Sequence, residues 1–232
     1  MRRLPKARCG DDNPNFGKMI IIGHSMGGIL TSLMTKSSEG KKLPNMLLKM
    51  ISVEKSFDEL DLSPSERSFF EESMIFEPLP FVKRTIFIAT PHKGSEVAKW
   101  KVSKFGSSLV TLPFAVVGKT KNAFRKISSH IRSDANRLET FTSIDNLDPD
   151  SIFIKSFNEL LINKTVKRHS IIGDESGDGG KEGSDGVVPY WSSHIEGVES
   201  ELIIKSGHNV QVTPECSKEI RRIIIEHLSS EK

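Results

Sequence analysis

At 232 residues, with 36% hydrophobic and 27% charged side chains, the chain is long enough for one globular domain carrying an inserted cap, and too apolar for a disordered segment. Its net charge of +3 comes from 33 Lys and Arg interspersed with 30 Asp and Glu, so no basic stripe offers itself to a nucleic acid. Cys9 and Cys216 supply neither a disulfide framework nor metal-ligand spacing, and no metal or cofactor is expected.

Residues 1–17 carry positive charge without the apolar stretch of a secretion signal. Leu109–Val117, interrupted by Pro113, falls far short of the ~20 apolar residues that span a membrane. A cytoplasmic chain without a transmembrane segment is therefore expected. The triplet Asn163-Lys164-Thr165 matches a glycosylation acceptor, but nothing else in the sequence points to export.

Four near-continuously apolar runs predict strands buried on both faces: Lys18–Ile22, Arg84–Ala89, Arg168–Gly173 and Glu201–Lys205. A helix is expected over Gly27–Lys36, directly after the first strand. Another closes the chain over Ser217–Leu228, with Ile220, Ile223, Ile224 and Leu228 as its apolar stripe. Strands alternating with helices define an α/β fold with a mainly parallel sheet flanked by helices. Two connections are long. Residues 38–80 contain a loop start at Lys41–Pro44 and a helix start at Ser63-Pro64-Ser65-Glu66. Residues 96–165 contain the apolar stretch, then a basic helical stretch with Lys119, Lys121, Arg125 and Lys126 that reads as a solvated face. A turn at Asp145–Asp150 and a helix over Ser151–Leu161 follow. This second connection, about 96–165, reads as a helical cap inserted in a single domain, 1–232.

The sharpest local signal is Gly23-His24-Ser25-Met26-Gly27, a G-x-S-x-G pattern between a strand and a helix. A nucleophilic serine needs a tight, strained turn that stands its hydroxyl clear of the sheet, and flanking glycines let strand and helix approach. The Met26 amide, at the positive end of the new helix, would then face a developing oxyanion. Neither the dinucleotide G-x-G spacing nor a P-loop Gly-Lys-Ser/Thr is present.

The serine needs a base, and the base an orienting acid, in the chain order Ser, Asp or Glu, His. Of the seven histidines, His208 in Ser206-Gly207-His208-Asn209 directly follows the fourth strand, where the base belongs. His24 adjoins the nucleophile and points away from it; His92 follows the second strand; His130, His169, His194 and His227 are placed less favourably. The acid is expected after the third strand. Asp185, in Ser184-Asp185-Gly186-Val187-Val188, has a constrained backbone and is favoured over its rival Asp174. Asp174, Glu175 and Asp178 lack the calcium-loop pattern.

Assembled, these segments resemble the α/β-hydrolase superfamily, most of all its bacterial esterase- and lipase-like members. The shared segments are IIIGHSMGG at 20–28, IATPHKGS at 88–95, SDGVVPYWSS at 184–193 and SGHNV at 206–210, over a span from about residue 15 to the C-terminus. The resemblance implies a triad of Ser25, Asp185 and His208. It also implies that the Thr90–Ser95 loop walls the active site, with His24, Thr90, Pro91 and His92 as substrate-binding residues, and that the segment 96–165 acts as a cap near the acyl pocket. It departs in one respect. About four strands precede the elbow strand in that fold, one bringing a second oxyanion donor, whereas only residues 1–17 precede it here. Those residues read as the tail of the preceding helix, and the chain as the C-terminal part of a hydrolase, from a truncated gene, a misassigned start or a remnant. The Lys18–Ile22 strand would then be an exposed sheet edge, through which the chain could associate. The implied function is hydrolysis of a small-molecule or lipid ester; the alternatives are acyl transfer with the same triad, or a non-catalytic remnant.

Overall fold

The computed structural model describes residues 15–50, 52–97, 147–177, 179 and 182–230. The apolar stretch Leu109–Val117, the basic stretch after it and Cys9 lie outside these. The chain divides into two compact units, one of Met1–Thr35, Pro78–His92 and Asn163–Lys232, the other of Lys36–Glu77 and Lys93–Ile162.

The first unit is an α/β layer structure built on four strands: β1 (Met19–His24), β3 (Val82–Ile88), β5 (Lys167–Asp174) and β6 (Ser200–Lys205). They pair in the order β1-β3-β5-β6, all parallel, so all four end at the same edge of the sheet. The four apolar runs are these strands, with ends shifted by up to two residues. Helix α1 (Met26–Leu33) follows β1 with only Ser25 between. It stops short of Lys36, which belongs to a short strand, β2 (Lys36–Ser37).

The two faces of the sheet separate cleanly by the two-residue strand period. Ile86, Ile88, Ile171 and Ile204 form a core with Val210, Cys216 and Ile223, the last two from the closing helix Pro214–Ser230. Gly23, of opposite parity, faces Thr31 of α1. The closing helix turns its Cys216, Ile223 and His227 inward, and Leu228 is 62% exposed. The sequence stripe had included Leu228. At 100° per residue the inward row runs 216, 220, 223, 227, and its last place falls to His227, which donates Nε2–H to the Lys18 carbonyl at 2.9 Å.

Among the described residues β1 pairs only with β3, so it is the sheet edge that the sequence leads one to expect. Ile22, in register with Ile86, is 44% exposed there, where its partner is fully buried.

The second unit draws on both long connections. Helix α2 (Lys42–Met50) begins where a loop start was expected. Its Pro44 is tolerated because the first-turn amides of a helix have no intrahelical acceptor, so the missing N–H costs nothing. Helix α3 (Pro64–Met74) begins as expected: Glu66 Oε2 accepts from the Ser63 amide at 2.8 Å while Ser63 Oγ accepts from the Glu66 amide at 3.4 Å, with Pro64 in the first turn. Leu48, Val53, Phe57, Leu60 and Phe70 are buried together as its core. Helix α4 (Ile152–Glu159) is capped by Ser151 and leads into β4 (Leu161–Ile162), which pairs antiparallel with β2. Among the described residues, no helix is long and apolar enough to cross a membrane.

Candidate active site

The strand ends of the first unit bring three of the expected residues together. Ser25 lies between β1 and α1 at φ 53°, ψ −129°, a backbone conformation that non-glycine residues rarely adopt. Its amide donates to the Ile88 carbonyl at 2.9 Å, and its carbonyl accepts from the Gly28 amide at 2.9 Å. The turn is thus pinned from both sides. Ala89, at the end of the neighbouring strand β3, also has positive φ, 47°.

The glycines divide the work unequally. A Cβ on Gly23 would come within 2.5 Å of Thr31 Oγ1, and one on Gly28 within 1.9 Å of Thr90 Oγ1. One on Gly27, the second glycine of the motif, would meet nothing within 4 Å beyond its own helix. The close approach thus requires Gly23 and Gly28, and the sequence motif credits Gly27 instead.

His208 follows β6, at the far side of the sheet from β1. Its Nε2 lies 2.9 Å from Ser25 Oγ, and its Nδ1 lies 2.8 Å from Asp185 Oδ2. An ionised carboxylate only accepts, so Nδ1 carries the proton and Nε2 accepts from the serine hydroxyl. The Asp185 side chain is 1% exposed and that of His208 21%. The buried carboxylate is fully engaged, since its Oδ1 accepts from the amides of Val187 at 2.8 Å and Val188 at 2.6 Å. The constrained Gly186-Val187-Val188 turn folds back on its own aspartate. The loops that carry Asp185 and His208 converge on the end of β5, where a Cβ on Gly173 would come within 2.9 Å of Asp185 Cβ and 3.0 Å of the Ser206 carbonyl.

Asp174 is engaged elsewhere. Its Oδ1 accepts from the Ser176 hydroxyl at 2.7 Å and amide at 3.0 Å, and its Oδ2 from the Gly179 amide at 3.1 Å. The Ser176 hydroxyl, above all, holds its carboxyl below the usual range. It closes its own glycine-rich loop.

The other expected residues each have their own contacts. Met26 opens the first turn of α1, where its amide has no intrahelical acceptor. His24 reaches the backbone of His208: its Nε2 lies 2.9 Å from the His208 carbonyl, to which it must therefore donate. Burial, first of all, lowers its pKa. Thr90, Pro91 and His92 are all buried. Thr90 fills the space beside Gly28, and its carbonyl accepts from the Ser193 hydroxyl at 3.2 Å. The His92 ring stands edge-on to Phe87, centroids 4.7 Å apart. Sequence reasoning missed the Val187 and Val188 amides, the Gly28–Thr90 contact and the His24 bond. The Gly27-Gly28 pair was the one available signal. Among the described residues, no group of three or more His, Cys, Asp or Glu side chains is arranged to hold a metal ion.

No protein-family model and no curated protein matches the sequence. Solved structures are similar to it. The mature form of lipase BlEst2 from Bacillus licheniformis matches at 14% identity and a TM-score of 0.40, over 89% of this chain and 65% of that one. EstA from Clostridium botulinum matches at 15% and 0.36, over 88% and 63%. The propeptide form of the Bacillus lipase matches at 13% and 0.34, over 84% and 47%. The chain spans less than two thirds of the length of each.

Proposed function

We propose that the protein is a serine hydrolase of carboxylic esters, with Ser25 as nucleophile, His208 as base and Asp185 as orienting acid. The observation that carries this reading is the unbroken chain of hydrogen bonds from Asp185 through His208 to Ser25, at 2.8 and 2.9 Å, on a residue with positive φ at the head of a helix.

Ser25 Oγ attacks the ester carbonyl carbon as His208 Nε2 takes its proton. Asp185, held by two backbone amides, keeps Nδ1–H aimed at itself and stabilises the imidazolium that forms. The carbonyl oxygen, now negative, lies against the Met26 amide, a donor fixed by the helix before the reaction starts. Collapse expels the alcohol, which takes the proton from His208. Water, deprotonated by the same imidazole, then releases the acid from Ser25. Thr90 supports the first turn of α1, behind the nucleophile, by filling the space beside Gly28.

Hydrolysis of a graded series of p-nitrophenyl esters tests the reading. The expected result is turnover that falls by roughly 10⁴-fold in Ser25→Ala with the fold intact by circular dichroism. Equal turnover in Ser25→Ala would overturn it.

A further inference from the structure

The strand order poses a mechanical problem. Ser25 follows β1 at one edge of the sheet and His208 follows β6 at the other, with β3 and β5 between. The loop after β6 must lean back across two strands to bring the imidazole within 2.9 Å of Ser25 Oγ. Asp185 holds the ring of His208 through Nδ1, but a ring can be held while the backbone that carries it drifts. The backbone of the loop is tied to β5 by the Ser206 amide, which donates to the Asp174 carbonyl at 3.1 Å. That tie lies before the base and fixes its distance to β5, not to β1.

We propose that His24 is a positioning residue that sets the base against the nucleophile, by donating Nε2–H to the main-chain carbonyl of His208. His24 is the residue immediately before Ser25, so the strand end that presents the nucleophile also grips the backbone of the base, 184 residues away in sequence. The two rings are 5.0 Å apart and inclined at 43°, so neither stacking nor a ring-to-ring hydrogen bond explains the arrangement; the directed contact is N–H to carbonyl. The charged groups acting on His24 are His208 and Asp185. Burial, above all, disfavours the His24 cation, against the bond to the His208 carbonyl, which favours it, so the base gains its positive charge beside an imidazole held below its usual range. This role rests on the catalytic assignment of Ser25 and His208.

The test uses the full chain, p-nitrophenyl ester hydrolysis and the rate of fluorophosphonate attachment to Ser25, read by mass spectrometry. His24→Phe keeps a ring but removes the donor. It is expected to lower kcat and the labelling rate by about tenfold to thirtyfold, the worth of one partly buried hydrogen bond, with KM within about twofold. His24→Gln, whose amide can donate, is expected to recover much of that loss. His24→Lys can also donate but places a fixed charge beside the base. It is expected to move the acid limb of the kcat/KM profile to lower pH, which a residue that only packs would not do. If His24→Phe and His24→Lys both keep wild-type kcat, labelling rate and pH profile, with a lowered melting temperature, His24 is a packing residue and the inference is wrong. If wild-type protein is neither active nor labelled at Ser25, the catalytic assignment itself fails, and this inference with it.

Discussion

Among the described residues of the first unit, two histidines contact a serine hydroxyl, and the proposed function gives chemistry to one of them. At the strand ends, His208 stands between Ser25 at 2.9 Å and the Asp185 carboxylate at 2.8 Å. Near the strand starts, His169 stands between Ser200 Oγ at 2.7 Å and Arg84 Nη1 at 2.6 Å. The partner on the second ring nitrogen decides the outcome. A carboxylate accepts from the imidazole and welcomes a proton on it. A guanidinium donates to the imidazole and repels a proton. Burial, and after it Arg84, pushes His169 down to about 4, so it stays neutral and serves as a structural bridge. Placement completes the contrast. His208 is 21% exposed on a loop, whereas His169 is 1% exposed within β5. A Ser–His contact becomes a nucleophile and base only with an acid behind it and a strained turn beneath it.

The strongest way to break this comparison is to exchange the partner of His208 at the strand ends. Asp185→Asn keeps the geometry but offers Nδ1 a donor as readily as an acceptor. It is expected to lower kcat by about 10³- to 10⁴-fold, measured on a short-chain ester. Asp174→Asn, which changes the rival carboxylate in its own closed loop, is expected to leave kcat within a fewfold.

The turn around Ser25 offers the next largest contrast. Gly28→Ala forces a Cβ against Thr90 at 1.9 Å and is expected to cost about 2–3 kcal/mol in urea unfolding. Gly27→Ala, with open space at that position, is expected to be neutral, or to stabilise by up to ~1 kcal/mol through helix propensity.

At the structural end the prediction is one of pH. The folded pKa of His169, about 4, lies below its ordinary value of 6.5, so the unfolded chain binds the proton more tightly. The stability this confers is fully present above pH 6.5 and is lost as pH falls toward 4. For a group 1% exposed this amounts to about 3 kcal/mol. Urea midpoints across that window should fall more shallowly in His169→Gln, which can still bridge Arg84 and Ser200. Arg84→Met removes the guanidinium that opposes the His169 proton but leaves buried His169 Nε2 without its partner, so it is expected to cost about 1–3 kcal/mol at neutral pH and to flatten the same acid limb.

The smallest effect belongs to His194. Its hydrogen bond to Glu201, at 2.7 Å, comes first among the causes that raise its pKa. With this folded pKa above the unfolded value, its contribution is present below pH 6.5 and lost as pH rises past the raised value. Its side chain is 29% exposed, so solvent screens the pair and the change in melting temperature over that range should be slight.

The four strands were legible because strands buried on both faces are written as continuous apolar runs. Ser25, Asp185 and His208 could be singled out because the strand ends where they stand, which the structure brings together, follow from the apolar runs and the chain order. What the sequence hid is contact made at a distance. Nothing local marks Gly28 as the glycine under pressure, since its neighbour Thr90 comes from another strand end. His24 looked like a residue turned away from the nucleophile, and its partner is a main-chain carbonyl, which no side-chain pattern can announce. The α2 start was misplaced because Pro44 reads as a breaker, although in a first turn it removes an amide that no helical bond would use.

The most direct test of the account is site-resolved fluorophosphonate labelling of wild-type, Asp185→Asn and Asp174→Asn protein, followed as a rate. The account predicts a single adduct on Ser25, formed at least a hundredfold more slowly in Asp185→Asn and at nearly the wild-type rate in Asp174→Asn. An adduct elsewhere, no adduct on wild-type protein, or a larger loss in Asp174→Asn than in Asp185→Asn would contradict it.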